Sequence, residues 1–247
     1  MQALILNSGI GKRMGSLTHN KPKCLIELAN KETILFRQLR LLSANGITNI
    51  IITTGPFEEK IKKEVERFNS ISPVDIEFVH NDIFKETNYI YSMYLTKDKI
   101  TDDLILLHGD LVFTDALLST YLNSKHKDSV LINKREPVPK KDFKGKVVDD
   151  HIKEIGVNVF GDNCFILMPL YKFQKRSFIK WMEKIDEFIK QSQLTVYAEN
   201  ALNQILDDII LQPFDYSGFF CSEIDDIDDL EKVNHALDFG SDSFEPS

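Results

Sequence analysis

The sequence predicts a protein of the α/β class, with a mostly parallel but mixed sheet that carries helices on both faces. Apolar runs of strand length alternate with helical patterns as far as about residue 133. Such alternation is typical of parallel strands joined by crossover helices. Size supports the same prediction, because 247 residues with 43% hydrophobic side chains can bury a sizeable core.

The first half of the chain contains the regular alternation. Its predicted strands are short runs of β-branched and aliphatic residues, at 3–6, 50–54, 76–79, 104–108 and 130–133. Its predicted helices lie at 33–44, 58–68, 88–95 and 115–123. Ligands of such Rossmann-like sheets bind beyond the carboxyl ends of the strands, so we expect the site to involve segments 7–23, 53–56 and 108–111.

The second half is less regular. A polar, proline-containing loop at 134–146 is followed by a hairpin at 147–155, which turns at Asp149-Asp150. The remaining predicted elements are strands at 164–168 and 219–224 and helices at 172–191, 199–206 and 226–237. We expect residues 1–238 to form a single domain, and the polar segment 239–247 to be a disordered tail or a truncated linker.

Composition narrows the range of partners and locations. A net charge of −8 and a pI near 5.3 argue against a nucleic-acid partner. Cys24, Cys164 and Cys221 have neither metal-ligand nor disulfide-framework spacing, which indicates a reducing, cytoplasmic location. We expect no membrane span, because no run approaches the roughly 18 apolar residues that one requires.

A glycine-containing loop, Asn7-Ser8-Gly9-Ile10-Gly11-Lys12-Arg13-Met14, follows the first predicted strand. Glycines allow tight turns and let backbone amides approach phosphate oxygens, while Lys12 and Arg13 add cationic donors. The dinucleotide fingerprint would need a third glycine in place of Met14, and the P-loop would need a Gly-Lys-Ser/Thr run. The loop matches neither, and by itself it is also compatible with a plain tight turn carrying basic surface residues.

Two aspartates follow predicted strands. Asp110 comes after the strand at 104–108, beside Gly109, where a carboxylate can hold Mg²⁺ or simply form a turn. Asp225 follows the strand at 219–224, and either Asp225 or its neighbour Asp226 can cap the next helix. His108 precedes the first aspartate, and we expect it to be a hydrogen-bonded structural histidine.

The first strand, Gly9-x-Gly11-x-Arg13-Met14 and Pro22-Lys23 together resemble the signature of nucleotidyltransferases that activate sugar phosphates, choline phosphate and related compounds. The resemblance implies the glycosyltransferase-A-like fold of that superfamily, with catalytic roles for Lys23, Arg13 and Asp110. It also implies a Mg²⁺ ion on Asp110 and Asp225. The nucleotide-binding residues that it implies are Leu6, Asn7, Ser8, Gly9, Gly11, Lys12, Arg13, Lys23, Gly55, Asn88, Ser92 and Asp110.

Two further segments resemble cytidylyltransferases of the choline-phosphate type. Residues 87–95 are similar to the segment that these enzymes place against CTP, and Asn88 offers the donor and acceptor groups that base recognition needs. Residues 197–200 are similar to their acceptor segment, which implies acceptor contacts from Tyr197, Glu199 and Asn200, within insertions around 134–203. Ala198 stands where that group carries a tryptophan, and we expect Trp181 to pack within a helix.

Several stretches, at 6–15, 53–57, 141–146, 169–172 and 197–203, also resemble bacterial 2-aminoethylphosphonate cytidylyltransferases. That resemblance implies a small phosphonate acceptor, and a transaminase domain fused to this one or partnered with it. Three alternatives stay open: a choline-phosphate cytidylyltransferase, a sugar-1-phosphate nucleotidyltransferase that uses another nucleotide, and a non-catalytic nucleotide-binding module.

Overall fold

The computed structural model describes residues 1–238, except for the side chains of Lys12 and Asp238. Its strands are β1 (Gln2–Leu6), β2 (Asn49–Thr54), β3 (Asp75–His80), β4 (Leu104–His108), β5 (Leu111–Phe113), β6 (Ser129–Asn133), β7 (Lys144–Val148), β8 (His151–Gly156), β9 (Cys164–Phe173), β10 (Gln212–Asp215) and β11 (Cys221–Glu223). Its α-helices are α1 (Ile34–Ala44), α2 (Glu58–Asn69), α3 (Tyr89–Tyr94), α4 (Asp115–Asn123), α5 (Lys175–Lys190), α6 (Ala198–Leu202) and α7 (Ile227–Asp238).

A central sheet runs through the molecule in the order β10-β6-β9-β4-β1-β2-β3. Strands β4, β1, β2 and β3 pair in parallel in that order. The long strand β9 runs antiparallel to both β4 and β6, and the β7–β8 hairpin extends from it. The predicted mixed, mostly parallel sheet is therefore confirmed.

Helices cover both faces of this sheet because its buried strands are apolar on both sides. Ala3 and Ile5 of β1 belong to a core cluster that includes residues of α1, α2 and α4. Leu4 and Leu6 point the opposite way, into a cluster with residues of α3, α5 and α6. Since successive side chains of a strand alternate between faces, one strand contributes to both cores.

The prediction for residues 164–191 is wrong at the boundary between strand and helix. The strand continues to Phe173, and the helix begins only at Lys175. Pro169 is tolerated because the register between β9 and β6 shifts around it, so the proline lies in a bulge. Lys172 belongs to the strand, and its buried Nζ donates to the carbonyl oxygens of Tyr121 and Ser124, each at 3.0 Å.

Other differences concern short elements. The predicted loop at 134–146 ends where β7 begins, the helix at 199–206 is shorter, and the strand at 219–224 shrinks to β11. Strands β5 and β10 were not predicted, since they have three and four residues. The turn at Asp149-Asp150 is present, and both residues have a positive φ, as a tight two-residue hairpin requires. The predicted tail at 239–247 lies outside the described residues.

Within residues 1–238, no helix is both long enough and apolar enough to cross a membrane.

Candidate active site

The glycine loop leaves β1 between the ends of its two neighbouring strands. The backbone N–H of Asn7 donates to the carbonyl oxygen and to Oγ1 of Thr53, at 3.2 and 3.1 Å. On the other side, a Cβ atom at position 109 would lie 1.6 Å from Oδ1 of Asn7, so a larger residue there would displace the Asn7 side chain. The start of the loop is thus fixed by close packing at the carboxyl ends of β2 and β4.

A cavity of about 330 Å³ opens beside this loop, within the size range of small-molecule sites. The predicted nucleotide-binding residues that line it are Leu6, Asn7, Ser8, Gly9, Gly11, Arg13, Lys23, Asn88, Ser92 and Asp110. Gly55 lies behind the loop instead, where a Cβ atom would be 2.5 Å from the carbonyl oxygen of Ser8. The side chain of Lys12 lies outside the described part of the chain.

Two buried polar atoms in this lining suit a polar ligand. Nδ2 of Asn7 and Oγ of Ser8 have no hydrogen-bond partner among residues 1–238. Buried polar groups are nearly always paired, because an unpaired one loses its hydrogen bonds to water without replacement. Both atoms lie in the segment expected to hold a triphosphate, so they are candidate ligand contacts.

The pairing of β5 with β11 brings the two candidate metal ligands together. The two short strands run antiparallel, and the backbone N–H of Ile224 donates to the carbonyl oxygen of Asp110 at 3.0 Å. Asp225 is therefore held beside Asp110. Asp226 differs, because its side chain is 40% exposed, faces Lys141 at 3.5 Å and accepts from the backbone N–H of Asp229.

Lys23 lies between the two carboxylates. Its Nζ is 3.0 Å from Oδ2 of Asp110 and 2.5 Å from Oδ1 of Asp225. A guanidinium nitrogen of Arg13 also contacts Oδ1 of Asp225, at 2.7 Å. Burial alone would lower the pKa of Lys23, but the two carboxylates outweigh burial and raise that pKa above its ordinary value.

The chemistry of these groups fits a magnesium ion. The carboxylates of Asp110 and Asp225 follow different strands and both contact Nζ of Lys23, and oxygen donors of this kind are what Mg²⁺ prefers. The cavity beside them provides cationic groups for the phosphates that such an ion commonly accompanies. The residues that would hold the ion are Asp110 and Asp225.

The helix α3 forms the opposite wall of the cavity. Asn88 caps its first turn, since its side chain accepts from the backbone N–H of Tyr89 at 2.7 Å. Oγ of Ser92 accepts from Nδ2 of Asn81 at 3.0 Å. Asn81 also lines the cavity and was not predicted, although it directly follows β3 and so obeys the strand-end rule.

The predicted acceptor residues differ in position. The Tyr197 side chain is 42% exposed, and its ring centroid lies 5.0 Å from that of Phe143 and 6.0 Å from that of Tyr89. Asn200 is exposed, and its backbone N–H donates to the carbonyl oxygen of Tyr197. Glu199 is buried, so the structure does not bring it to the surface of the cavity.

Glu199 holds two tyrosines in place. Its carboxylate accepts from the hydroxyl group of Tyr89 and, at 2.9 Å, from that of Tyr171. Tyr89 lines the cavity, so Glu199 supports the cavity wall from behind. Trp181 lies in the core, where its Nε1 donates to the carbonyl oxygen of Ala198 at 3.0 Å.

His108 and Glu223 form a further polar pair beside Asp110. Nδ1 of His108 is 3.5 Å from Oε1 of Glu223, and the imidazole packs edge-to-face on Tyr89 at 4.9 Å between centroids. Nε2 of His108 is buried and has no hydrogen-bond partner among the described residues. His108 was expected to be a hydrogen-bonded structural histidine, but its contact with Glu223 is longer than an ordinary hydrogen bond. Glu223 was not predicted as part of the site.

Comparison with known proteins agrees with this geometry. The chain is 25% identical to a CTP:phosphoglutamine cytidylyltransferase from Campylobacter jejuni, over 94% of this chain and 98% of that protein. It is also 25% identical to a choline-phosphate cytidylyltransferase from Streptococcus pneumoniae, over 96% and 98% of the two chains. Its fold matches the solved structure of a CTP:phosphocholine cytidylyltransferase from S. pneumoniae, with a TM-score of 0.76, 22% identity and coverage of 96% and 98%.

The match to a protein family settles the broader classification. The family described as nucleotidyl transferase matches residues 2–145, which is more than half of the chain and contains the glycine loop, Lys23 and Asp110. The predicted superfamily, enzyme class and fold are thereby confirmed. The chain belongs to the nucleotidyl transferase family, and the two cytidylyltransferases named above match it along nearly its whole length.

Proposed function

We propose that this enzyme transfers CMP from CTP to a small phosphonate or phosphomonoester, with 2-aminoethylphosphonate as the first candidate acceptor. The observation that carries the proposal is the position of Lys23, whose ammonium lies between Asp110 and Asp225 at the edge of the cavity. This arrangement supports the proposal, because it combines a positive charge with two carboxylates, the groups that Mg²⁺ prefers, beside the expected triphosphate loop. CTP is favoured because both curated relatives described above are cytidylyltransferases.

In the proposed reaction, an oxygen of the acceptor attacks the α-phosphorus of CTP. A new P–O bond forms, the bond to the β-phosphate oxygen breaks, and pyrophosphate leaves with the bonding electrons. The attacking oxygen is already anionic near neutral pH, so no general base is needed. The enzyme has to reduce repulsion between two anions and stabilise the charge that spreads in the transition state.

The residues of the site have distinct roles in this scheme. Lys23 neutralises charge at the α-phosphate, while Arg13 and the amides of the glycine loop hold the β- and γ-phosphates. A Mg²⁺ ion on Asp110 and Asp225 would supply electrostatic stabilisation of the phosphate oxygens. Asn7 and Ser8 offer their unpaired buried groups to the nucleotide.

The proposal of an aminophosphonate rests on sequence and on one structural feature. Several stretches of the chain resemble 2-aminoethylphosphonate cytidylyltransferases, and Ala198 replaces the tryptophan of the choline-phosphate group. Trp181 cannot substitute for it, because its indole is fully buried in the core. A small primary ammonium depends less on surrounding aromatic faces than a quaternary one does.

Choline phosphate is the second candidate acceptor, and one observation favours it. The ring of Tyr197 packs against those of Phe143 and Tyr89, and Tyr197 is 42% exposed. Exposed aromatic faces attract quaternary ammonium groups through cation–π interactions. Phosphocholine would place its quaternary ammonium against these rings, whereas the primary ammonium of 2-aminoethylphosphonate would depend on them less.

Product analysis tests the proposed function. Pyrophosphate release is measured with CTP, UTP, GTP or dTTP, in the presence of Mg²⁺ and of 2-aminoethylphosphonate, phosphocholine, phosphoethanolamine or a hexose 1-phosphate. We expect CTP and 2-aminoethylphosphonate to give the highest kcat/KM, and ³¹P NMR to show a new phosphonate–phosphate anhydride. A preference for phosphocholine would replace the acceptor, and a preference for another nucleotide would overturn cytidylyl transfer.

A further inference from the structure

We propose that His108, Asp110 and Glu223 form a second divalent-cation site, which takes a transition-metal ion of the Zn²⁺ or Co²⁺ class. One potential ligand atom from each of the three side chains lies within 4.8 Å of the other two. The site goes beyond cytidylyl transfer, because cation binding there requires neither CTP nor an acceptor.

The separation of these atoms is close to that of a coordination shell. Nitrogen and oxygen ligands lie about 2.0–2.2 Å from Zn²⁺, which places neighbouring ligand atoms roughly 3–4 Å apart. The measured distance between Nδ1 of His108 and Oε1 of Glu223 is 3.5 Å. Asp110 supplies the third potential ligand atom, within 4.8 Å of the other two. Three protein ligands would leave the fourth position of a tetrahedral ion to water or substrate.

The same distance is long for an ordinary ion pair. A charge-assisted hydrogen bond between an imidazole and a carboxylate is commonly about 2.7–2.9 Å long. His80 and Glu58 on the protein surface form such a short contact, at 2.5 Å. The more buried His108 and Glu223 stay 3.5 Å apart, which is expected of two groups that ligate a common ion.

His108 also has an uncommitted nitrogen. Its Nε2 is buried and has no hydrogen-bond partner among residues 1–238. Nδ1 is the nitrogen that faces Glu223 and would bind the ion, and Nε2 would then carry the ring proton. The ring is held edge-to-face against Tyr89, whose hydroxyl group donates to Glu199, so its orientation is constrained by packing.

The type of ion follows from the donor atoms. An imidazole nitrogen favours transition metals, whereas the all-oxygen pair of Asp110 and Asp225 suits Mg²⁺. Asp110 would contribute to both sites.

Cation binding to the full chain without nucleotide tests the site. Zn²⁺ affinity is measured by calorimetry, and Co²⁺ is titrated while its visible absorption is recorded. We expect one tight site that is weakened about tenfold or more by His108→Gln and by Glu223→Gln. Asp225→Asn should leave the site in place, and His80→Gln serves as the matched control, because His80 also lies beside two carboxylates at the surface.

Two further measurements distinguish loss of the cation site from unfolding and from cation binding at His80. Circular dichroism and thermal unfolding show whether each variant folds. In the wild-type chain labelled with ¹⁵N-histidine, Zn²⁺ should shift the ring-nitrogen resonances of His108 more than those of His80. An unchanged affinity in His108→Gln, or a shift confined to His80, would overturn the proposal. Turnover of CTP is assayed separately with Mg²⁺, so failure of the proposed function leaves these readouts unaffected.

Discussion

At the scale of single residues, Lys23 connects the parts of the site, because one ammonium contacts both carboxylates and lines the cavity. We expect Lys23→Met to lower kcat by about a hundredfold or more, since the lost charge acts mainly in the transition state. Steady-state pyrophosphate release measures the effect. Lys21→Met is the control in the same loop, and an equal loss in both variants would contradict a specific role for Lys23.

The same contacts predict an opposite effect on metal binding. In the protein without nucleotide, the ammonium of Lys23 neutralises the two carboxylates that a Mg²⁺ ion would need. Removing it leaves two neighbouring negative charges, whose mutual repulsion a cation relieves. We therefore expect Lys23→Met to bind Mg²⁺ more tightly than the wild type in calorimetry without CTP. An unchanged or weaker affinity would show that the lysine does not compete with the ion.

Sequence reasoning succeeded with those residues whose position depends on local chain geometry. Asn7 directly follows β1 and Asp110 lies just beyond β4, so the strand-end rule was enough to place them near the cavity. Lys23 begins a short 3₁₀ turn and was predicted from the resemblance to known enzymes. Asp225 depended on the resemblance to known enzymes, because its approach to Asp110 requires β11 to pair with the distant β5. The burial and the partners of Glu199 and Glu223 could not be predicted from the sequence, because they depend on packing between elements that are far apart in the chain.

At the scale of secondary-structure elements, periodicity predicted the first half of the chain well, because each buried strand is followed by an amphipathic helix. The second half was predicted less well for a physical reason. β9 lies between β4 and β6 and is apolar on both faces, so it lacks the alternation of polar and apolar residues that marks a strand. Its last residues were therefore assigned to the helix that follows. The strands β5, β10 and β11 are too short to show a period.

The amino-terminal end of α2 gives a prediction about stability and pH. Burial alone would raise the pKa of Glu58, but hydrogen bonds from Lys62, Thr54 and His80 lower it to about 2. A carboxyl whose pKa is lower in the folded protein stabilises the fold above its unfolded pKa of 4.5, and this contribution is lost as the pH falls toward 2. Glu58→Gln should therefore lower Tm at pH 7, with a smaller difference from the wild type at pH 3.

A neighbouring residue provides the control for this experiment. Glu59 lies on the same turn of α2, but its side chain is 81% exposed, and its carboxylate lies 3.1 Å from Nζ of Lys62. Exposed ion pairs of this kind contribute little to stability. Glu59→Gln should leave Tm nearly unchanged at both pH values. Equal effects of the two substitutions on Tm would contradict the contacts assigned to Glu58. A decrease in Tm for Glu58→Gln that is as large at pH 3 as at pH 7 would contradict them as well.

At the scale of the whole molecule, the cavity lies where three parts of the fold meet. The glycine loop extends from β1, α3 packs on one face of the sheet, and the segment from β11 to α7 holds Asp225 against Lys23 at the edge of the cavity. Ile224 and Val233 of that segment pack with Met14 of the loop in a small core cluster of their own. Binding of a triphosphate should therefore stabilise the folded protein as a whole, because the ligand contacts groups from separate elements.

Thermal unfolding with nucleotides tests this expectation. A ligand at a hundred times its Kd stabilises a protein by about 2.7 kcal/mol, which corresponds to a rise in Tm of roughly 5–10 °C for a chain of this size. We expect CTP with Mg²⁺ to produce such a rise and UTP or GTP to produce a clearly smaller one. Asp110→Asn should weaken the effect of adding Mg²⁺ to CTP, since it removes one of the two carboxylates assigned to the ion. Equal rises in Tm with all nucleotides would contradict selective binding of CTP by the residues that line this cavity.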